Sequence, residues 1–174
     1  VNGVDAHQIK GLTFKNKDRE IINNRDRGFI EDLDSLLFPP RDNFYSGNGK
    51  IDVGGIITSR GCPFQCTYCA SPQIWNRKVR YRGVDNVLEE LEYMVKKKGV
   101  TLIRFQDDTF TLHKKRAMEI LDKVLTKGLN IKWICDTRID TLDKEVLQLM
   151  KKSGCVRVKV GVESGSDEVL KRIK

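Results

Sequence analysis

Apolar and polar residues alternate along residues 51–174 with two different periods, and each change of period marks a new element. Short apolar runs predict strands at 53–59, 100–105, 129–137 and 155–162. Apolar residues spaced three and four apart predict helices at 84–98, 113–127, 142–152 and 167–174. Gly99, Gly128 and Gly154 follow the first three helices, as expected at helix C-termini. Strands and helices are therefore predicted to alternate.

This alternation, with short connections, is typical of parallel strands joined by right-handed crossovers. Polar residues share one face of two predicted strands: Arg104, Gln106 and Asp108 in the second, and Lys132, Asp136 and Arg138 in the third. A doubly wound sheet is buried on both faces and reads as apolar throughout. The charged face favours an α/β fold in which a partial (βα) barrel of parallel strands has a polar lumen. An open sheet with one solvated face is the alternative.

The fourth predicted strand makes a further prediction about orientation. Its valines, from Val156 to Val162, alternate with polar residues and are predicted to point outward beneath the helices. The strand is also predicted to be an unprotected edge of the sheet.

Residues 1–50 have a different pattern. Alternation over 8–15, turn residues at 16–18 and a return over 19–23 predict a hairpin. Pro39-Pro40 ends any helix there, and 46–49 is rich in Gly and Asn. The sequence predicts a connector at 1–50 and a core domain at 51–174.

Composition limits the class of protein. The chain has 174 residues and a net charge of +8, and the whole excess lies in residues 51–174. This charge favours an anionic partner, or else solvated helix faces. No apolar run is long enough for a membrane span, and the N-terminus does not resemble a signal peptide. With only five cysteines, unevenly spaced, a reducing, cytoplasmic location is expected.

Three of the cysteines form the strongest chemical signal. Cys62, Cys66 and Cys69 have the spacing C-x3-C-x2-C directly after the first predicted strand. Three thiolates on one loop can hold three irons of an iron–sulfur cubane and leave the fourth iron open. A structural zinc site needs four ligands, and no fourth Cys or His lies nearby. A small iron–sulfur electron carrier and a zinc-bearing nucleic-acid module remain as alternatives, although low aromatic content makes a nucleic-acid partner unlikely.

With Tyr68 just before the last cysteine, this motif resembles that of the radical S-adenosylmethionine (SAM) superfamily. The resemblance implies an enzyme whose three cysteines hold a 4Fe–4S cluster. The cluster's open iron binds SAM, and reductive cleavage of SAM gives a 5′-deoxyadenosyl radical that abstracts hydrogen from a substrate. It also implies an organic substrate that the sequence does not identify and an electron donor such as flavodoxin or ferredoxin.

The resemblance assigns further residues to SAM. Tyr68 matches the aromatic near the adenine, with ordinary packing as the alternative. Asp107 and Asp108 lie where the family often has a Gly-Gly-Glu motif for the methionyl amine. Which aspartate serves is open, because Asp108 could instead cap the next helix.

Three residues at later strand ends complete the predicted SAM site. Arg138 is expected to pair with the methionyl carboxylate, or else to form an ion pair with Asp136 or Asp140. Glu163 and Ser164 resemble the group that binds the ribose hydroxyls.

The finer resemblance is to the cobalamin-domain subgroup of cyclases and methyltransferases. It rests on Asp107-Asp108-Thr109-Phe110, Arg80-Tyr81-Arg82 and residues 161–166. Residues 1–50 resemble the connector that follows a cobalamin-binding domain in that subgroup, so cobalamin is implied for a parent protein. Family barrels typically have six βα units. The chain, with about four, is therefore expected to be a fragment of the enzyme that is inactive alone.

Overall fold

The computed structural model describes residues 4–41 and 53–174, and the chain divides into two compact units between Glu31 and Asp32. In the first unit, β1 (Thr13–Lys15) and β2 (Ile21–Asn23) pair antiparallel. The Asn16 side chain accepts hydrogen bonds from the backbone N–H groups of Asp18 and Glu20, which fixes the turn. The predicted hairpin is therefore confirmed, with shorter strands.

The second unit contains a four-stranded parallel sheet. In chain order its elements begin with β3 (Val53–Ile56), β4 (Ser59–Arg60), α1 (Ser71–Trp75), β5 (Arg80–Tyr81), α2 (Val84–Glu92) and β6 (Leu102–Phe105). They continue with α3 (Lys114–Thr126), β7 (Lys132–Thr137), α4 (Lys144–Lys152), β8 (Cys155–Val160) and α5 (Asp167–Ile173). The sheet order is β3-β6-β7-β8. The four parallel strands therefore lie side by side in the order in which they occur along the chain, as in the wall of a (βα) barrel.

The helices match the predicted periodicity, with two local differences. The helix predicted over 84–98 is α-helical to Glu92 and continues as a π-helix over Tyr93–Lys97. The sequence analysis did not predict α1, which is only five residues long. At the N-terminus of α4, the Asp143 side chain accepts from the Val146 N–H, a standard N-cap.

The two faces of the sheet differ as predicted. On the face that we call the helix face, Ile103, Phe105 and Trp133 are fully buried against α2, α3 and α4. The Trp133 indole N–H donates to the Ser153 carbonyl at 2.9 Å, so its one polar group is satisfied. The opposite face, which we call the open face, carries exposed Arg104 and Lys159. The charged face predicted from the sequence is confirmed.

The edge strand β8 departs from the predicted alternation. Cys155 is opposite Trp133 and Arg157 is opposite Ile134, so Val156 is an extra residue in the ladder. This bulge leaves Val156 55% exposed. The prediction that Val156 lies beneath the helices is wrong, because the irregular register interrupts the two-residue period that the prediction assumed. It is also wrong for Val162, which is 69% exposed because β8 already ends at Val160.

The predicted domain boundary at 50/51 and the Gly-rich stretch at 46–49 lie outside the described residues. In the part of the chain that is described, no helix is long and apolar enough to cross a membrane.

Candidate functional site

The three clustered cysteines lie on a loop, residues 61–70, that joins β4 to α1; we call it the cysteine loop. At its start, β4 pairs with β5, with Ser59 opposite Tyr81. Gly61 has φ +100°, and a Cβ there would lie 2.1 Å from the Lys78 carbonyl oxygen. Only glycine fits this position, so the first turn of the loop is held closely against the chain that precedes β5.

All three cysteines line one cavity of about 380 Å³ where the parallel strands end. The other lining residues come from the loop, from the carboxyl ends of the later strands and, for Lys174, from the end of α5: Tyr68, Asp108, Thr109, Asp136, Thr137, Arg138, Lys159, Gly161, Glu163 and Lys174. Sites in parallel α/β folds are commonly found at this end of the strands. The cavity is therefore the candidate site.

Each cysteine sulfur in the cavity has a polar neighbour. Arg138 Nη1 is 3.4 Å from Cys66 Sγ, and the Ser71 N–H donates to Cys69 Sγ at 3.4 Å. Cys62 Sγ lies 3.8 Å from Thr109 Oγ1. All three are free thiols. Donors directed at sulfur are a feature of iron–sulfur sites, so the donor set and its surroundings fit such a cluster.

The described residues offer no site for a single metal ion. Among residues 4–41 and 53–174, no three His, Cys, Asp or Glu side chains are arranged to hold one metal ion.

The structure separates the two adjacent aspartates. Asp107 is 1% exposed and accepts from the backbone N–H groups of Thr58 at 2.6 Å and Ser59 at 3.1 Å, and from the Thr58 hydroxyl. Burial raises the pKa of Asp107, and these donors oppose that shift. Asp107 does not line the cavity. Asp108 does, and its Oδ2 accepts from Ser71 Oγ at 3.1 Å.

The alternative role for Asp108 as a helix cap is wrong. The residue that caps α3 is His113, whose Nδ1 accepts from the Arg116 N–H.

Besides its contact with Cys66 Sγ, Arg138 makes two further contacts beside the cysteine loop. Its guanidinium lies 3.7 Å from the centre of the Phe64 ring and forms an ion pair with Asp140 at 2.6 Å. Hydrogen bonding to Asp140 raises the pKa of Arg138. The ion pair that the sequence analysis held as an alternative is therefore present with Asp140, while Asp136 pairs with Arg104 and Lys159. One face of the guanidinium also covers Phe64, a residue that the sequence did not single out.

Of the remaining predicted residues, Glu163 and Ser164 lie after β8, and Tyr68 lies in the cysteine loop. Glu163 lines the cavity and has φ +65°, a backbone conformation that non-glycine residues seldom adopt. Tyr68 is 53% exposed, and desolvation, Glu163 and Cys66 together raise its pKa. Ser164 does not line the cavity; its hydroxyl accepts from the Ser166 N–H at 3.1 Å. The structure thus brings together Tyr68, Asp108, Arg138 and Glu163, but neither Asp107 nor Ser164.

The sequence analysis did not predict six of the lining residues as individual site candidates: Thr109, Asp136, Thr137, Lys159, Gly161 and Lys174. Lys159 lies on the open face one strand away from Asp136, and its position could have been found from the two-residue period of β8. Thr109 follows the aspartate pair and reaches the Cys62 sulfur, a contact for which the sequence has no separate signal.

These features define an α/β protein with a partial (βα) barrel and a thiol-lined cavity at the carboxyl ends of its strands. The family model of the radical SAM superfamily matches residues 56–174. The chain belongs to the radical SAM superfamily.

Two curated relatives illustrate the match. The chain is 35% identical, over 98% of its length, to an uncharacterized methyltransferase of Pyrococcus horikoshii. It is 30% identical, over 91% of its length, to the anaerobic magnesium-protoporphyrin IX monomethyl ester cyclase of Cereibacter sphaeroides. The chain spans 38% and 27% of the lengths of these two proteins.

Solved structures of one protein share the fold. The radical S-adenosylmethionine methyltransferase TsrM from Kitasatospora setae, with tryptophan and the SAM analogue aza-SAM bound, has a TM-score of 0.77 at 18% identity. This match covers 97% of the chain and 35% of TsrM. A second TsrM structure, with cobalamin and a [4Fe-4S] cluster bound, has a TM-score of 0.64 at 22% identity and covers 68% of the chain and 24% of TsrM.

Proposed function

We propose that this chain is part of a radical SAM enzyme in which Cys62, Cys66 and Cys69 hold a 4Fe–4S cluster and SAM binds beside it. The observation that carries the proposal is that the three free thiols line one cavity together with Asp108, Arg138 and Glu163. Family membership supports the same chemistry. When bound, the reduced cluster supplies the electron that cleaves SAM to a 5′-deoxyadenosyl radical.

The residues of the cavity suit the separate parts of SAM. Asp108 offers a carboxylate oxygen to an ammonium group, which needs acceptors. Glu163 offers two oxygens to the ribose hydroxyls, and Tyr68 offers an aromatic ring to the adenine. Arg138, already paired with Asp140, retains donors for the methionyl carboxylate on a planar guanidinium that Phe64 holds in place.

For the reaction of the whole protein, we propose a cobalamin-associated methylation or cyclisation. The two relatives described above are a methyltransferase and a cyclase, which supports these two reaction classes. One of the TsrM structures has cobalamin bound. The proposal includes an organic substrate, a reductant such as flavodoxin or ferredoxin, and a parent protein with a cobalamin domain before the connector. All five cysteines are free thiols, which supports a reducing, cytoplasmic compartment.

Anaerobic reconstitution of the chain tests the cluster. We expect about four irons and four sulfides per chain, as for a cubane cluster. Cys66→Ala is expected to lose this content, whereas Cys135→Ala is the matched control because Cys135 is buried in β7 away from the cavity. One tightly bound zinc and no sulfide would contradict the proposal in favour of the zinc module.

Binding of SAM needs a separate test. Electron paramagnetic resonance of the reduced cluster is expected to change when SAM is added, and that change is expected to weaken in Glu163→Gln. Reductive cleavage of SAM to 5′-deoxyadenosine distinguishes this enzyme from an electron carrier. A cluster whose spectrum is the same with and without SAM would support the electron carrier instead.

A further inference from the structure

Asp107, the buried aspartate beside the candidate site, lacks the access to the cavity that a ligand of SAM needs. Asp107 does not line the cavity, and its carboxylate instead contacts Thr58 and Ser59, which lie just before the cysteine loop. There it accepts three hydrogen bonds from Thr58 and Ser59, which are themselves 0% and 5% exposed. A carboxylate with three protein donors and almost no exposed surface has no route to a cofactor.

Thr58 is the point at which these contacts converge. Its N–H and hydroxyl donate to Asp107, and the same hydroxyl accepts from Arg116 Nη1 at 3.1 Å. Its carbonyl accepts from Arg116 Nη2 at 3.0 Å and from the Arg82 N–H at 3.0 Å. Every polar atom of this buried residue is thus bonded, and Thr58 lies four positions before Cys62.

Arg116 extends the contacts to other elements. It lies in α3, and its guanidinium also donates to the Arg82 carbonyl at 2.7 Å and lies over the Tyr81 ring of β5. A carboxyl group and a guanidinium group therefore contact the same hydroxyl group, one from the end of β6 and the other from α3. Buried networks of this kind are rigid when every member has its partners.

We propose that Asp107 and Arg116, acting through Thr58, are positioning residues that hold the start of the cysteine loop, and that Asp107 is not a ligand of SAM. This inference rests on the proposed function of the cysteines. A three-cysteine site supplies all its ligands from one loop, so the geometry of the site depends on how that loop is anchored. Asp108, the next residue, lines the cavity. In this proposal Asp107 supports the cysteine loop, and Asp108 binds the cofactor.

Two conservative changes at Thr58 isolate the network from general stability. Thr58→Val keeps the shape but removes the hydroxyl that joins Asp107 to Arg116, and Thr58→Ser restores the hydroxyl. Asp107→Asn keeps the size, but its amide NH2 group replaces Oδ2, the oxygen that accepts from the Thr58 hydroxyl. Glu163→Gln is the comparison within the cavity, because it does not contact Thr58 or Ser59.

The first measurement needs no cluster. In the apo chain, Cys62 is 9% exposed, and its alkylation reports opening of the loop. We expect Thr58→Val and Asp107→Asn to speed alkylation of Cys62 about tenfold or more by local opening, with Thr58→Ser close to wild type and Cys135 unchanged. Equal Cys62 rates in all variants would overturn the inference, whether or not the chain binds a cluster.

The second measurement uses the reconstituted chain with a chelator. We expect Thr58→Val and Asp107→Asn to lose cluster iron about ten times faster than wild type, the lower end of what supporting residues contribute to metal affinity. Thr58→Ser is expected to retain the cluster iron, and clusters that remain in Asp107→Asn should still respond to SAM.

Normal retention in Asp107→Asn with no response to SAM would make Asp107 a SAM ligand and overturn the inference. A lower melting temperature with normal retention would overturn it as well, because it would reduce the network to a purely structural role. If Asp107→Asn does not fold, the Thr58→Val and Thr58→Ser pair decides the question. Failure of the proposed function is distinct, since wild type would then bind no iron–sulfur cluster.

Discussion

The helix face and the open face of the same sheet differ in burial and in role. On the helix face, Ile103, Phe105 and Trp133 are each 0% exposed and form the core with the helices. On the open face, the side chains of Arg104 and Lys159 are 46% and 76% exposed. Neighbouring residues of one strand therefore serve either the core or the solvated face, and the cavity opens where the strands end. Stability and chemistry are separated by the two-residue period of the strands.

The cysteines show the same division. Cys135 is 3% exposed on the helix face, and burial raises its pKa to about 12. Cys69 is exposed in the cysteine loop and lines the cavity. One residue type is thus a small apolar core residue in one place and a candidate metal ligand in the other. Four measurements test how complete this separation is.

The largest effect is expected on the helix face. Trp133→Ala removes a fully buried ring that packs on Phe105 and Phe110 and leaves the Ser153 carbonyl without its donor. We expect the free energy of unfolding to fall by about 3–5 kcal/mol. Ile134→Ala, one residue away on the open face, is the control and is expected to cost about 1 kcal/mol. Urea denaturation measures both, and equal losses would show that the two faces do not differ in stability.

The next effect concerns thiol reactivity in the apo chain. At pH 8, iodoacetamide is expected to alkylate Cys135 at least about 100 times more slowly than Cys69, because the thiolate is the nucleophile and burial disfavours it. Peptide mass spectrometry over time gives the two rates. The difference should vanish in urea, where both thiols are solvated. Comparable rates in the folded chain would contradict the burial of Cys135.

A smaller effect is expected on the open face. Asp136→Asn removes two exposed ion pairs, to Arg104 at 3.2 Å and to Lys159 at 3.7 Å. We expect a loss of about 1 kcal/mol or less in the free energy of unfolding, decreasing further as salt is added. A loss comparable to that in Trp133→Ala would mean that the open-face charges are part of the core stability.

The smallest effect lies on the outer surface of the helices. Hydrogen bonds from Lys127 and Lys96 lower the pKa of Glu92 from 4.5 to about 2. A depressed pKa contributes stability above the unfolded value and loses it as the pH falls through the folded value. Stability attributable to Glu92 should therefore decline between about pH 4.5 and pH 2. The melting temperature of Glu92→Gln should therefore fall slightly less steeply than that of the wild type over this acid range. An identical pH dependence would argue against the hydrogen bonds from Lys127 and Lys96.

Much of the fold follows from local pattern. The helix period predicted α2, α3 and α4, and capping residues such as Gly128 and Asp143 lie where those helices end or begin. The bulge at Val156 could not be predicted, because register depends on the neighbouring strand β7 and not on the residues of β8. The short helix α1 has too few residues for a period to appear.

The sequence by itself determined the alternation of strands and helices, the charged face of the sheet and the C-x3-C-x2-C motif, because spacing along the chain carries all three. Only the tertiary structure separated Asp107, which is buried against Thr58, from Asp108, which lines the cavity. The groups that donate to Asp107 belong to Thr58 and Ser59, 49 and 48 residues earlier, and no local pattern records those contacts. The partner of Arg138 was decided in the same way, since Asp140 and Asp136 are equally near in sequence and only Asp140 is free of Arg104 and Lys159. Roles set by contacts between distant segments become visible when those segments are packed together.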